Sequence, residues 1–412
     1  MILVQNHLQQ LSGNKLWYLI FICSCLAACS PKTRTNKSTS DATENKADQQ
    51  AVKTEKKLTE ANISLLIPFN LNKAQIVSGN KSELEKSAMA IDFYQGFKMG
   101  IDSAASATGM DFHINVLDTR DNNVQITSII KSGKLSSSNL IVGPVFPDGI
   151  KFITNYSIAN NIPVVSPLAA THPDEFNNPN LISIVNNIQL HALKIGDYIS
   201  KEYNPDKVIV VLISTKKSDD ETLGSPLRKY FQQGKGTRFS FEEYSSVYSM
   251  ESKTVPGKQY LVMVSSTDRQ FVIPTLDKLM KMKNKGGQIV LFGHPNWSKQ
   301  EYNTEKLQAL QTKITSSYRI DYKNQAVISF VKKYRLAYSF EPGEYAFKGF
   351  DIGFYFGKLL AEHGANYIKY LPQEKYKGLH NSFSFTRDMN IGYLNTSLLL
   401  LEYKDYTLNP VE

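Results

Sequence analysis

Short runs of β-forming residues alternate with amphipathic helical stretches from Asn62 almost to the end of the chain, and this rhythm limits the possible folds more than any other feature. Residues 63–69, Ile-Ser-Leu-Leu-Ile-Pro-Phe, read as a buried strand. Over 83–108 the apolar Met89, Phe93, Phe97 and Ile101 recur at four-residue steps until Gly109, which predicts a helix. Strands are predicted at 112–117, 140–142 and 162–166, with helices over 124–135 and 150–159 between them. Strands separated by crossover helices build right-handed βαβ units on a parallel sheet.

The rhythm restarts after 181–185. A helix over 190–203 leads to the continuous apolar strand 207–213, followed by strands at 239–244, 261–264 and 288–292 and a helix over 269–283. An extended, partly aromatic stretch at 312–321 precedes two helices, 324–339 and 345–363, and β-rich runs at 383–385 and 398–403. The fold class expected is α/β: two Rossmann-like, doubly wound lobes.

A chain of 412 residues is too long for one compact core, and 42% apolar with 21% charged residues is a globular balance. Lys and Arg exceed Asp and Glu by 47 to 38, but no five stand together, so no nucleic-acid partner is expected. The three cysteines stand at 23, 25 and 29, so the body holds no disulfide, thiolate zinc site or cysteine nucleophile. No other catalytic motif is present, the seven His are scattered, and neither an enzyme nor a cofactor is expected. His172 with Asp174 and Glu175 reads as a solvated loop rather than a metal site.

Leu16 to Leu26 is an uncharged, mostly apolar run of eleven residues. It is too short to cross a bilayer core of ~30 Å as a helix and suits the core of a signal peptide. It leads into Leu26-Ala27-Ala28-Cys29, which resembles a bacterial lipoprotein signal. The resemblance implies a signal peptide over 1–28 and lipidation of Cys29; an ordinary secretory signal is the other reading. Ser30 stands where inner-membrane retention usually shows Asp, which implies the outer membrane, facing the periplasm. Residues 29–61 are poor in large apolar side chains and read as a solvated tether.

Three stretches of the body, in order and spacing, carry a resemblance: FYQGFKMGIDSA at 93–104, NLIVGPVFPDGIKFITNYSIANNIPVVSPLAATHPDEF at 139–176, and FVKKYRLAYSFEPGEYAFKGFDIGFYFGKLL at 330–360. Together they resemble the type I periplasmic binding proteins, in the branch of the branched-chain amino-acid receptors. The resemblance covers roughly 62–412 and implies two lobes with three crossovers and a ligand cleft between them. It implies a first lobe of 62–186 plus 315–380 and a second of 187–314 plus 381–412. In open α/β sheets the site lies beyond the carboxyl ends of the strands.

In that family a loop like Ser166-Pro-Leu-Ala-Ala-Thr171 supplies an amide and a hydroxyl to the ligand's carboxylate. Carried over, Ser166, Ala169 and Thr171 are candidate ligand residues; a structural turn with Thr171 capping a helix is the alternative. Pro144-Val-Phe146-Pro-Asp148 replaces the family's Ser-rich turn, removing a hydroxyl and bringing Phe146 to the site. Ser214 to Glu221 replaces a run that often recognises the ligand amine, which argues against an ordinary α-amino acid. Tyr94 reads as a ring stacked on ligand or, more simply, as core. Trp297, in a loop after a strand, reads as a ligand cover or as packing on its own lobe. Tyr318 falls near the second crossover and is the expected hinge residue.

The function implied is a lipid-anchored, extracytoplasmic solute-binding protein that presents a small polar, amino-acid-like ligand to an ABC permease. The same fold also occurs, by resemblance, in outer-membrane lipoproteins that activate peptidoglycan synthases, where the partner is a cell-wall enzyme and no small ligand is needed.

Overall fold

A computed structural model describes residues 58–70 and 81–411. Cys29 and nearly all of the sequence assigned to signal and tether lie outside the described residues. Among those described, β1 (Glu60–Ile67), β2 (Asp111–Asp118), β3 (Leu140–Val142), β4 (Val164–Ser166) and β5 (Leu181–Ser183) form a parallel sheet in the order β5-β4-β3-β1-β2. The second sheet repeats the plan. There β6 (Val208–Ile213), β7 (Ser240–Tyr244), β8 (Gln259–Val264), β9 (Gln288–Phe292) and β10 (Lys313–Ser316) run parallel in the order β7-β6-β8-β9-β10. Every residue of β6 is buried, as its unbroken apolar sequence requires of a strand covered on both faces.

The C-terminal segment is shared between the lobes, which corrects the expectation that 381–412 lies wholly in the second. The short strands β11 (Tyr376–Lys377) and β12 (Ser382–Phe383) pair only with each other. Next, β13 (Phe385–Asp388) and β14 (Gly392–Asn395) complete the first sheet, Tyr393 and Leu394 standing beside Ile182 and Ser183. Only β15 (Leu399–Lys404) and β16 (Thr407–Pro410) extend the second sheet. Burial decides the division: the rings of Phe383, Phe385 and Tyr393 fill the first lobe's core, whereas Leu401 enters the second's. Thr315 and Ser316 also belong to the second lobe, as the end of β10. The chain therefore crosses between lobes at 184–187, 317–324 and 396–398.

Two long helices of the first lobe, Lys81–Thr108 and Glu344–His363, lie against each other unusually closely. A Cβ on Gly96 would stand 1.9 Å from the Ala346 carbonyl oxygen, and one on Gly349 2.2 Å from that of Phe93. Glycine lets the backbones touch while Phe93, Phe97, Ile352 and Phe356 bury completely on either side. Each such side chain contributes about 1.5–3 kcal/mol. The contact anchors the start of Glu344–His363, from which Glu344, Tyr345 and Lys348 reach the space between the lobes.

Candidate functional site at the lobe interface

The carboxyl ends of both sheets open onto one cleft of about 990 Å³. In both sheets the strand order reverses beside the first strand, the position where open α/β sheets collect ligands. From the first lobe come an apolar patch of Met89, Val145, Phe146, Leu168 and Ala169 and the polar His172, Glu175, Glu344 and Lys348. From the second come Thr222, Thr267, His294, Asn296, Ser298 and Lys299, which are polar. Ser317, Tyr318 and Asn381 lie at the floor, where the chain crosses.

Side-chain amides tie the crossovers together. Asn186 donates to the Asn395 carbonyl at 2.6 Å, and Asn395 donates back to the Ile184 and Ser382 carbonyls at 3.1 and 3.0 Å. Asn381 donates to the Ser317 carbonyl at 3.2 Å. These bonds satisfy backbone groups that leave the sheets at the crossings, where no ladder partner exists.

The turn that supplies His380 and Asn381 is built on one buried carboxylate. Asp351 accepts the amides of Leu379, His380 and Asn381, each at 2.8 Å, and the Tyr376 hydroxyl at 3.1 Å. Burial pushes its carboxyl up to about 6, and the amide bonds hold it from rising further.

Around Tyr318 the charge is concentrated. The His380 ring stacks on one face of Tyr318 at 4.3 Å. The Lys348 and Lys299 ammonium groups lie over the ring at 5.5 and 5.7 Å. Glu344 stands among them: its carboxylate is 3.4 Å from the Tyr318 hydroxyl, 3.7 Å from Lys348 Nζ and 3.8 Å from His380 Nε2. Lys348 is 6% exposed; its burial, and then the repulsion from Lys299, outweigh Glu344 and bring its ammonium down to about 8. Burial and the charge of Lys348 bring His380 down to about 3, so the ring is neutral. His380 Nδ1 lies 2.6 Å from Asn381 Oδ1, an oxygen that only accepts, which assigns the proton to Nδ1 and leaves Nε2 as a buried acceptor without a donor.

The opposite wall holds two more neutral histidines. Burial and the nearby His294 bring His191 down to about 3, and its Nδ1 meets Thr315 Oγ1 at 2.8 Å. Burial brings His294 down to about 4 against the opposing pull of Asp220. Among the described residues no three His, Cys, Asp or Glu side chains converge as metal ligands.

Of the residues singled out from sequence, Phe146, Ala169 and Tyr318 line the cleft. Ser166 is buried at the end of β4, and Tyr94 packs edge-on against Phe69 at 5.9 Å; neither reaches the cleft lining. Thr171 also falls outside the lining, between Ala170 and His172, which are in it. It is not the helix cap either: His172 Nδ1 accepts from Asp174 N at the head of the short helix Pro173–Glu175. Trp297 is fully buried in the second lobe, its Nε1 donating to the Ser266 carbonyl at 2.9 Å, so it covers no ligand. Lys348, Glu344, Lys299 and His380 escape sequence reasoning. The one available signal is a lysine and an aspartate inside the otherwise apolar run Ala346 to Phe356.

Two lobes, three crossovers and a cleft floored by those crossovers define the type I periplasmic binding-protein fold. No family model and no curated protein matches the chain. Among solved structures, a putative branched-chain amino acid ABC transporter protein from Rhodospirillum rubrum superposes with a TM-score of 0.62 at 14% identity, over 86% of this chain and 100% of that one. An ABC transporter substrate-binding protein from Desulfitobacterium hafniense, in complex with Leu, gives 0.53 at 14% identity over 85% and 100%. The C-domain of LpoA from Haemophilus influenzae, a regulator of PBP1A, gives 0.55 at 15% identity over 85% and 100%. None of these proteins is described as an enzyme, and at such identities the likeness defines the fold.

Proposed function

We propose that this chain is a lipid-anchored solute-binding protein of the cell envelope that captures a small ligand between its lobes for an ABC-type transporter. The observation that carries the reading is the cleft, which combines polar and charged groups from both lobes and the crossovers with an apolar patch of the first. Such a mixed, concave site suits a small molecule with one polar end. The tether and Cys29 supply the anchoring, and Ser30 favours the outer membrane facing the periplasm.

A second reading is an interaction module that regulates a cell-wall synthase. The loop Pro144 to Asp148 favours it, because Phe146 stands where the amino-acid receptors carry a hydroxyl. The likeness to the LpoA C-domain is in keeping with it.

A thermal-shift screen over amino acids, short peptides, nucleobases, sugars and muropeptides separates the two. A ligand at a hundred times its dissociation constant adds about 2.7 kcal/mol, which lifts the midpoint of a body this size by roughly 4 °C. A reproducible rise supports the receptor. A flat screen on folded protein, with a cell-wall synthase recovered from envelope extract, replaces it with the interaction module.

A further inference from the structure

Two ammonium groups from opposite lobes converge on one aromatic ring with too little negative charge around them. Lys348 rises from the first lobe's helix Glu344–His363 and Lys299 from the second lobe's short helix Pro295–Lys299. His380 covers one face of Tyr318 at 4.3 Å, and the two ammonium groups lie 5.5 and 5.7 Å from the ring centre. Lys299 opposes the charging of both Lys348 and His380. Among the described residues Glu344 is the one carboxylate that pairs with Lys348, at 3.7 Å, beyond hydrogen-bonding reach, and none pairs with Lys299.

A largely buried ammonium with one loose partner is costly, and two cations facing one another across a cleft make closure of the lobes costlier still. Glu344 cannot neutralise both, so the cluster keeps one positive charge. A single anion lodged between the two lysines removes the deficit and supplies Lys348 with a closer partner than Glu344 at 3.7 Å. The cleft also says what should be attached to that anion. It contains an apolar patch of Val145, Phe146, Leu168 and Met89, with the Lys86 ammonium 5.2 Å from the Phe146 ring.

We propose that Lys348 and Lys299 form an anion subsite at the hinge end of the cleft, built for the carboxylate of a small monoacid whose apolar body rests on Phe146 and Leu168. The proposal rests on the receptor reading and refines it. It places the acid end on the crossovers rather than on the Ser166–Thr171 loop, and it requires no ammonium group on the ligand.

The test uses the purified full-length chain and matched probes: 4-methylpentanoate against 4-methylpentanamide, and leucine against leucinamide. Binding is measured by calorimetry and thermal shift at pH 7. 4-Methylpentanoate is expected to bind, each amide at least tenfold more weakly than its acid, and leucine, whose ammonium faces the two lysines, more weakly than 4-methylpentanoate. Lys348→Met is expected to lose at least tenfold in acid affinity and Lys299→Met severalfold. Lys258→Met, which removes one charge from an exposed position far along the second lobe, is expected to bind as wild type does. Melting of each free variant establishes that it is folded. Amides that bind as well as acids, or a folded Lys348→Met with unaltered affinity, overturn the subsite and leave the receptor standing. A flat response to both probe pairs and to the wider solute panel overturns the receptor and the subsite together.

Discussion

Replacing Lys348 by methionine should make the ligand-free protein more stable, and the structure gives the size of the gain. Methionine keeps the length and apolar stem of lysine and removes only the ammonium. Burial, with Lys299 nearby, brings that ammonium from 10.5 down to about 8. At roughly 1.4 kcal/mol per pH unit, holding the charged form in the folded state costs about 3 kcal/mol at neutral pH. That lowering already contains the attraction to Glu344, so the net gain is about 3 kcal/mol. For about 350 residues at ~2.1 cal/mol/K each, this raises the midpoint by roughly 4 °C. Calorimetric melts at pH 7 without added solutes read it directly. The pH dependence gives a second, independent check. A lysine whose pKa is lowered on folding is protonated in the unfolded chain and neutral in the folded one between about 8 and 10.5. The unfolded state binds the extra proton there, so wild type gains stability relative to Lys348→Met as pH rises through that window, and the gap closes. A variant that melts several degrees below wild type at pH 7, or a gap that stays constant to pH 10, refutes the reasoning.

Three further outcomes rest on the packing. Trp297→Ala should lose about 3–5 kcal/mol in chemical denaturation, because it empties a fully buried indole site and orphans the Ser266 carbonyl. Its ligand affinity, if measured below the transition, should stay that of wild type. Asp351→Ala should cost at least about 3 kcal/mol, since three buried amides lose their acceptor. Asp351→Asn should cost less and should also remove a pH effect: a carboxyl raised from 3.8 to about 6 binds its proton more tightly in the folded state, so wild type loses stability as pH rises from about 4 to 6. Gly96→Ala should destabilise by about 1–3 kcal/mol or more, as the new methyl forces apart two helices in backbone contact, and the same melts measure it.

Local pattern carried the architecture. Met89, Phe93, Phe97 and Ile101 recur at helical spacing, and they are the residues that bury in Lys81–Thr108. The continuous run Val208 to Ile213 demanded a strand covered on both faces, and both faces are covered. Alternation of such elements specifies parallel sheets because a right-handed crossover is the one short way back to the same edge. Phe146 and Ala169 were legible as cleft residues for the same reason: they follow strands, and the cleft lies where strands end.

What sequence could not settle was decided by contacts between distant parts of the chain. Trp297 follows a strand just as Phe146 does, yet Gly293 and Tyr302 leave a space that its ring fills inside the lobe. The C-terminal strands divide between sheets because Tyr393 finds its burial beside Phe383 and Phe385, a choice that no nearby residue announces. The charged cluster is the clearest case. Lys299, Tyr318, Glu344, Lys348 and His380 come from four elements on two lobes, and each alone reads as an ordinary polar residue. Helix periodicity is a property of one segment and is written in it. A charge acquires its consequence from what surrounds it, and those surroundings exist only after the lobes and their crossovers have packed.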